Sequence, residues 1–223
     1  MQNKIKAIFL GILLIIVIGI LIFTLGDFNE RNGNNNATST ISGKEDEIGV
    51  KFDENPDIAM SLPPGAKVPN LDRPVTFPQG MSEASKNKIK KDIGEIVKNL
   101  KENPNALAPW IELGLLRKSI EDYEGAKEAW EFAKVIRPGD WIAYHNLADL
   151  YGYYIHDERK SEQNILLAIE KAPKQAQLYV KASEIYVDIF NDTKKAIAVL
   201  EKGLAELPGN AQLEALKKSL ETL

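Results

Sequence analysis

The sequence predicts an all-α protein in which one helix–turn–helix unit is repeated along the C-terminal half. Prolines recur there in steps of 34, 35 and 35 residues, at Pro104, Pro138, Pro173 and Pro208. A fixed period of this length indicates a repeated supersecondary unit. Each proline marks the end of a unit, because proline cannot continue a helix. Between the prolines, apolar residues recur at intervals of three and four, which is the periodicity of an amphipathic helix.

The first repeat carries the motif residues of a known family. Trp110 and the pair Leu113-Gly114 are followed by Ala126, Trp130 and Pro138. This pattern resembles the tetratricopeptide repeat (TPR). Two further copies agree with it in phase, through Tyr144, Leu147, Ala148, Tyr151, Ile165, Ala168 and Pro173, and then Tyr179, Ala182, Tyr186, Ala196, Leu200, Gly203 and Pro208. The resemblance implies a solenoid of stacked helix pairs, a class of fold that usually binds other proteins.

Two features depart from the family pattern. Arg117 stands where the family usually has a tyrosine, and repeats two and three each contain one extra residue. We place the extra residues near 156–160 and near 191–194, where the two helices of a unit are expected to turn. Because a turn tolerates an insertion, the predicted fold is unchanged.

The TPR-like domain is predicted to span residues 82–223. Ser82 is a suitable N-cap for an opening helix. The apolar residues Leu213, Leu216 and Leu220 fit a closing helix that covers the last apolar face of the solenoid. The predicted elements, in order, are a helix at 82–103, repeats at 105–138, 139–173 and 174–208, and a capping helix at 210–222.

The N-terminus predicts a membrane anchor. Residues 7–25 form a run of 19 without a charge, rich in isoleucine and leucine. Such a run can cross a hydrocarbon core of roughly 30 Å and exceeds the apolar core of a signal peptide, about 7–15 residues. We therefore interpret residues 1–26 as a cytoplasmic tail and transmembrane helix. Cleavage after Gly26 as a secretion signal is the alternative.

Charge predicts the orientation of this anchor. Lys4 and Lys6 precede the apolar run, and positive residues stay on the cytoplasmic side. The C-terminal domain is therefore expected outside the cytoplasmic membrane. None of the 32 acidic residues precedes the run, and the rest of the chain has no basic stripe, which argues against a nucleic-acid partner. Small residues at Ala7, Gly11 and Gly19 leave homodimerisation of the anchor open.

Residues 27–81 are predicted to form a disordered, proline-rich linker. Their first part is polar and of low complexity, which is typical of disorder. Six of the 11 prolines follow between residues 56 and 78, and proline-rich chain stays extended. The main interpretation is a spacer. The apolar residues of segment 71–78 favour two alternatives, an intramolecular strap across the repeats or a docking peptide.

The resemblance also implies a binding surface, because in this family the first helix of each unit lines the concave face. Laid on this sequence, that pattern predicts the groove residues Ile111, Leu115, Lys118, Ile142, His145, Asp149, Tyr153, Val180, Glu184, Val187 and Asp188. The groove is expected to be apolar at its start and acidic toward its end, and to bind a protein or peptide. The alternative is that these acids form an ordinary solvated helix face.

No feature of the sequence predicts chemistry. The chain has no cysteine, which excludes thiolate metal sites and cysteine nucleophiles. His145 and Asp149 share a helix face but lack further ligands, so we predict no metal and no cofactor. The expected function is a membrane-tethered adaptor or scaffold, with a permanent structural subunit of an envelope complex as the alternative. A helical-repeat enzyme or enzyme accessory, with Asp149, Glu184 and Asp188 as the candidate carboxylates, is a remote third hypothesis.

Overall fold

The computed structural model describes residues 62–222. This part contains eight α-helices and no strand, so the predicted all-α class is confirmed for these residues. The predicted anchor at 7–25, with the small residues that leave homodimerisation open, and residues 27–61 of the predicted linker lie outside the described residues. Within residues 62–222, no helix is both long enough and apolar enough to span a bilayer.

A long helix, α1 (Glu83–Glu102), precedes three helix–turn–helix units, and a single helix follows them. Unit 1 is α2 (Leu107–Ser119) and α3 (Tyr123–Ile136). Unit 2 is α4 (Trp141–Leu150), its π-helical continuation (Tyr151–Ile155) and α5 (Glu158–Lys171). Unit 3 is α6 (Ala176–Asp188) and α7 (Thr193–Glu206), and the final helix is α8 (Ala211–Glu221). In each unit the two helices pack mainly on each other, as the sequence pattern requires.

One hydrogen bond is repeated at the start of all three units. It joins the aromatic side chain near the start of the first helix to the carbonyl of the proline six residues earlier. The pairs are Trp110 Nε1 to Pro104 O at 2.8 Å, Tyr144 Oη to Pro138 O at 3.1 Å, and Tyr179 Oη to Pro173 O at 2.9 Å. The spacing of six between proline and aromatic therefore has a geometric cause.

The turn inside each unit is also built in one way. A residue with positive φ stands directly before an aspartate whose side chain caps the second helix. These pairs are Glu121-Asp122, His156-Asp157 and Asn191-Asp192. Each carboxylate accepts a hydrogen bond from the backbone N–H three residues later, which satisfies one of the free donors at a helix start.

The extra residue of units 2 and 3 lies earlier than predicted. In unit 1 the Asp122 N–H donates to the Arg117 carbonyl, five residues back. The equivalent bonds in units 2 and 3 reach back six residues, from Asp157 to Tyr151 and from Asp192 to Tyr186. The insertion therefore widens the last turn of the first helix, within 152–156 and 187–191. The predicted positions near 156–160 and 191–194 are corrected accordingly.

The Leu-Gly pair of the first repeat reflects close helix packing. Trp130 is buried and its Nε1 donates to the Ile111 carbonyl at 3.1 Å. A Cβ at Gly114 would lie 2.2 Å from that Nε1, so any larger side chain would displace the indole. The helices α2 and α3 can approach each other only because residue 114 has no side chain.

Residues 62–81 pack against the domain, and we call this segment the strap. Leu71, Val75 and Phe77 are partly buried against a core cluster formed mainly by α1, α2 and α3. The strap alternative left open by the sequence is therefore the one that the structure supports. The prediction of a disordered linker does not hold for residues 62–81, because their apolar side chains find partners on the domain.

Arg117 explains why the first repeat lacks the usual tyrosine. Its guanidinium is 3% exposed and donates to the carbonyls of Arg73 and Pro74 in the strap and to Asp122 Oδ2. Arg73 donates to the same carboxylate and lies close to Glu128. An arginine at this position thus fixes the strap to the turn of unit 1.

The opposite end of the domain is closed by a helix. Leu213, Leu216 and Leu220 on α8 are buried, and α8 packs on α7 and α6. Asn210 caps this helix through a hydrogen bond from the Leu213 N–H to its side chain. The apolar face of unit 3 is therefore covered by this chain itself.

Candidate protein-binding surface

The first helices of the three units lie side by side and are joined by polar contacts. An ion pair between Lys118 and Asp149 joins α2 to α4, and one at 3.4 Å between Asp149 and Lys181 joins α4 to α6. Beyond α4, the Tyr153 hydroxyl donates to Asp188 Oδ2 at 3.2 Å. We call the exposed surface of α2, of α4 with its π-helical continuation, and of α6 the first-helix face.

Asp149 is the centre of this face. Its side chain is 18% exposed and lies between the two lysines. Burial raises the pKa of Asp149, but the charges and hydrogen bonds of Lys181 and Lys118 outweigh it and hold the pKa below its usual value. Asp149 is therefore charged at neutral pH and links three helices.

The acidic end predicted from the sequence is largely neutralised. Lys181, which the sequence analysis missed, pairs with Glu184 at 2.7 Å as well as with Asp149. Burial lowers the pKa of Lys181, but the two carboxylates outweigh that effect and raise it. The i, i+3 spacing of Lys181 and Glu184 was the available signal, since residues three apart meet on a helix.

Two tyrosines give the face its aromatic character. Tyr153 is half-buried, with the Lys181 ammonium 5.5 Å from its ring centroid. Burial and the charge of Asp188 raise its pKa, so the hydroxyl stays protonated and donates. Tyr154, also missed from the sequence, is exposed. Its ring lies 4.9 Å from that of Tyr123 and 4.7 Å from the Lys118 ammonium.

Three more predicted residues, Ile142, His145 and Val180, are half-buried on α4 and α6. The His145 ring meets the Trp141 ring edge-on, with centroids 6.0 Å apart. Burial and the charge of Lys181 lower the pKa of His145, so its ring is neutral at pH 7. Among residues 62–222, no group of three His, Asp or Glu side chains is placed to hold a metal ion.

Two predicted groove residues contribute less than expected. Val187 is buried, and we correct its assignment to the groove. Its repeat equivalent is Gly152, where a Cβ would lie 2.4 Å from Ile189 and 2.7 Å from Ser161. In both units the extra residue widens this turn and places the position inward. Ile111 is partly buried and packs against the two core clusters.

Leu115 lies at the edge of the face, in a cleft that we call the α1–α2 pocket. The cleft has a volume of about 380 Å³ and is lined by Asp92, Glu95 and Ile96 of α1 and by Glu112, Leu115 and Leu116 of α2. Leu115 is 50% exposed. The sequence pattern assigned it to the groove but gave no sign of the neighbouring acids on α1.

Known proteins were compared with the chain in sequence and in structure. No protein family and no curated protein matches the sequence. MamA is similar in structure, with 21% identity over 66% of this chain and 91% of its own, and a TM-score of 0.49. YrrB, a TPR protein with an unusual peptide-binding site, has 15% identity over 56% of this chain and 63% of its own, with a TM-score of 0.46. The Arabidopsis OM64 TPR domain has 18% identity over 51% of this chain and 92% of its own, with a TM-score of 0.41.

Proposed function

We propose that this protein is a membrane-tethered adaptor whose first-helix face binds a segment of a partner protein. The observation that supports this most is the position of Asp149, whose two ion pairs fix α2, α4 and α6 in one arrangement. A surface that is already ordered loses little entropy on binding. Such a face is suited to recognition.

The tyrosines are the proposed anchors of the partner. A few large side chains carry most of the affinity of an interface, and tyrosine is common among them. Tyr153 and Tyr154 are accessible and held by neighbouring charged groups. Because Asp149 and Glu184 already have lysine partners, the partner segment needs less positive charge than the sequence suggested. Its charged residues would mainly set register.

A crosslinking experiment with the full chain tests this proposal. We expect a partner captured in cells to be lost with Tyr153→Ala and retained with Val135→Ala, a control on the exposed side of α3. Loss with Val135→Ala or Leu166→Ala alone would favour the alternative of a permanent structural subunit, since both are exposed apolar residues on second helices. Retention with all three variants would contradict both functions.

The membrane tether is proposed from the uncharged run at 7–25 and its preceding lysines. The domain would then lie outside the cytoplasmic membrane. Protease added to cells with opened outer layers and an intact inner membrane is expected to digest the domain. Full protection would reverse the orientation, and a mature chain that starts near Asp27 would identify a cleaved signal instead.

We propose no catalytic role. The carboxylates of the enzyme hypothesis are Asp149, Glu184 and Asp188, and each has a polar partner within the domain. Carboxylates held in this way stabilise the array and are poorly placed for proton transfer to a substrate. Measurable hydrolysis of a polysaccharide that is lost with Asp149→Asn would contradict this view.

A further inference from the structure

The repeat geometry shows what the α1–α2 pocket lacks. Unit 2 places α4 against α2, and unit 3 places α6 against α4, so two of the three first helices are preceded by another. The first helix of unit 1, α2, has only α1 and the strap before it in the described chain. The position that a preceding first helix would take beside α2 coincides with the pocket.

Burial at equivalent positions supports this reading. Leu116 corresponds to Leu150 of unit 2 and Ile185 of unit 3, both 0% exposed. Leu150 belongs to a cluster with Ala126 and Trp130 of α3, and Ile111 of the preceding first helix α2 packs against that cluster. Leu116 is only partly buried. The apolar side of α2 is therefore incompletely covered where the other units are complete.

Leu115 shows the same contrast in residue type. Its equivalents are Asp149, which pairs with lysines of both neighbouring first helices, and Glu184, which pairs with Lys181 of its own helix. Here a leucine replaces the acid and is half-exposed. Covering this side chain with an apolar group of another helix would be favourable, because it removes apolar surface from water.

The strap leaves this cleft open. Its polar contacts reach Lys101, Arg117, Asp122 and Glu128. None of the six residues that line the pocket belongs to the strap. The occupant must therefore come from elsewhere than residues 62–81.

The contacts between units set a register for that occupant. Asp149 meets Lys181, and Lys181 is the repeat equivalent of Glu112. A helix docked on α2 as α4 lies on α6 would thus place its equivalent of Asp149 opposite Glu112. Lys118 of α2 meets Asp149 of α4, and Asp149 is the repeat equivalent of Leu115. Lys118 itself stands three positions after Leu115 in the repeat. The docked helix would therefore place the residue three positions after its Asp149 equivalent opposite Leu115.

We propose that the α1–α2 pocket binds an amphipathic helix of a partner protein, parallel to α2, with Lys or Arg at position i opposite Glu112 and a large apolar residue at i+3 opposite Leu115. Asp92 and Glu95 add to the complementary charge. Their own lysine partners on α1, Lys88 and Lys91, are exposed, and such surface pairs are weak. The inference rests on the proposed protein-binding function and names the partner chemistry at one end of the array.

Two synthetic helical peptides serve as probes. Each has about 20 residues, long enough to form a helix in isolation. One carries Lys at i and Leu at i+3, and its control carries Glu at i. Fluorescence anisotropy with the full chain in non-ionic detergent is expected to show about tenfold tighter binding of the Lys peptide, because like charges across an interface are unfavourable.

Variants of the chain complete the test. Glu112→Lys is expected to reverse the preference between the two peptides, and Leu115→Asp to abolish binding of both, with unchanged helicity by circular dichroism. Glu102→Lys makes the same change in charge at an exposed site near the end of α1 and is expected to leave binding unchanged. Tyr153→Ala is also expected to leave binding of the Lys peptide unchanged. Failure of binding at the first-helix face is therefore distinguishable from failure of binding at the α1–α2 pocket.

Three outcomes would overturn the proposal. One is a Lys peptide that does not bind up to roughly 1 mM, which is the weakest affinity of interest. Another is equal binding by the parent chain, Glu112→Lys and Leu115→Asp. The third is a dimer in sedimentation experiments that Leu115→Asp dissociates, because a second copy of this chain would then be the occupant.

Discussion

The two ends of the repeat array are closed in different ways. At the C-terminal end, α8 covers unit 3 with three buried leucines. At the N-terminal end, α1 and the strap cover unit 1, but the α1–α2 pocket leaves Leu115 and part of Leu116 accessible. A repeat unit cannot bury both of its faces alone. Among residues 62–222, the C-terminal end is therefore covered by a helix of this chain, and the N-terminal end keeps an accessible pocket, which is the proposed docking site.

A leucine-to-alanine substitution at each end tests this comparison most directly. Leu213→Ala on α8 removes a fully buried side chain and is expected to cost about 2–5 kcal/mol of unfolding free energy. Leu115→Ala at the other end is expected to cost only about 0.5 kcal/mol, because half of that side chain is already exposed. Urea denaturation of the two variants measures both values. Equal costs would mean that Leu115 is covered and that the N-terminal end is closed.

The aspartate caps extend the comparison to polar interactions. Asp122, Asp157 and Asp192 cap equivalent helices, but only Asp122 also holds the buried Arg117. Asp122→Asn keeps a capping side chain and removes the charge that Arg117 requires. We expect it to cost about 3 kcal/mol, since loss of one partner leaves a buried charge.

The matched controls are Asp157→Asn and Asp192→Asn. Each is expected to cost less than about 1 kcal/mol, because asparagine and aspartate cap helices almost equally well. Urea midpoints of the three variants give the comparison. Three similar losses would show that capping dominates and that the arginine network contributes little.

These contrasts also show which features the sequence could predict. The proline–aromatic bond and the Gly114–Trp130 contact join positions of the repeat motif, so the motif contained the residues that make both, although neither contact was itself predicted. Arg117 was visible as a departure from the motif, but its partners are strap carbonyls more than 40 residues away, which no local pattern reveals.

The candidate surface was predicted less completely. Pattern matching identified Asp149 and Tyr153, but assigned inward positions one helix at a time. Lys181 neutralises acids on two helices, which requires the register between units. Val187 was assigned wrongly because the extra residue alters the turn after α6. Among residues 62–222 no first helix precedes α2, and the pocket depends on this arrangement, which a motif matched one repeat at a time does not reveal.

Acidification is expected to weaken the N-terminal end selectively. Burial raises the pKa of Asp122, but hydrogen bonds from Arg73 and the Gly125 N–H, with the charges of both arginines, hold it below its usual value. The folded state thus binds this proton less readily than the unfolded state, in which the aspartate pKa is about 3.9. The stabilisation is complete above that pH and is lost as the pH falls through the folded pKa.

Melting temperatures across a pH series test this expectation. The difference between the parent chain and Asp122→Asn is expected to be constant from roughly pH 7 to 5 and to shrink below about 4. The parent chain and Asp192→Asn, compared in the same way, control for general acid destabilisation. A difference that grows on acidification would mean that the Asp122 pKa is raised in the folded state.

The smallest effect is expected at the exposed edge of the strap. Lys101 and Asp72 form an ion pair at 2.6 Å, with both side chains largely exposed to water. Such pairs contribute about 0–1 kcal/mol and are screened by salt. Lys101→Ala is therefore expected to change the unfolding free energy by about 0.5 kcal/mol or less, close to the effect of Lys88→Ala, which removes an exposed pair within α1. A loss of unfolding free energy comparable to that of Asp122→Asn would show that the Lys101–Asp72 pair is needed to hold the strap on the domain. Arg117 and the apolar contacts of the strap would then be insufficient to hold it.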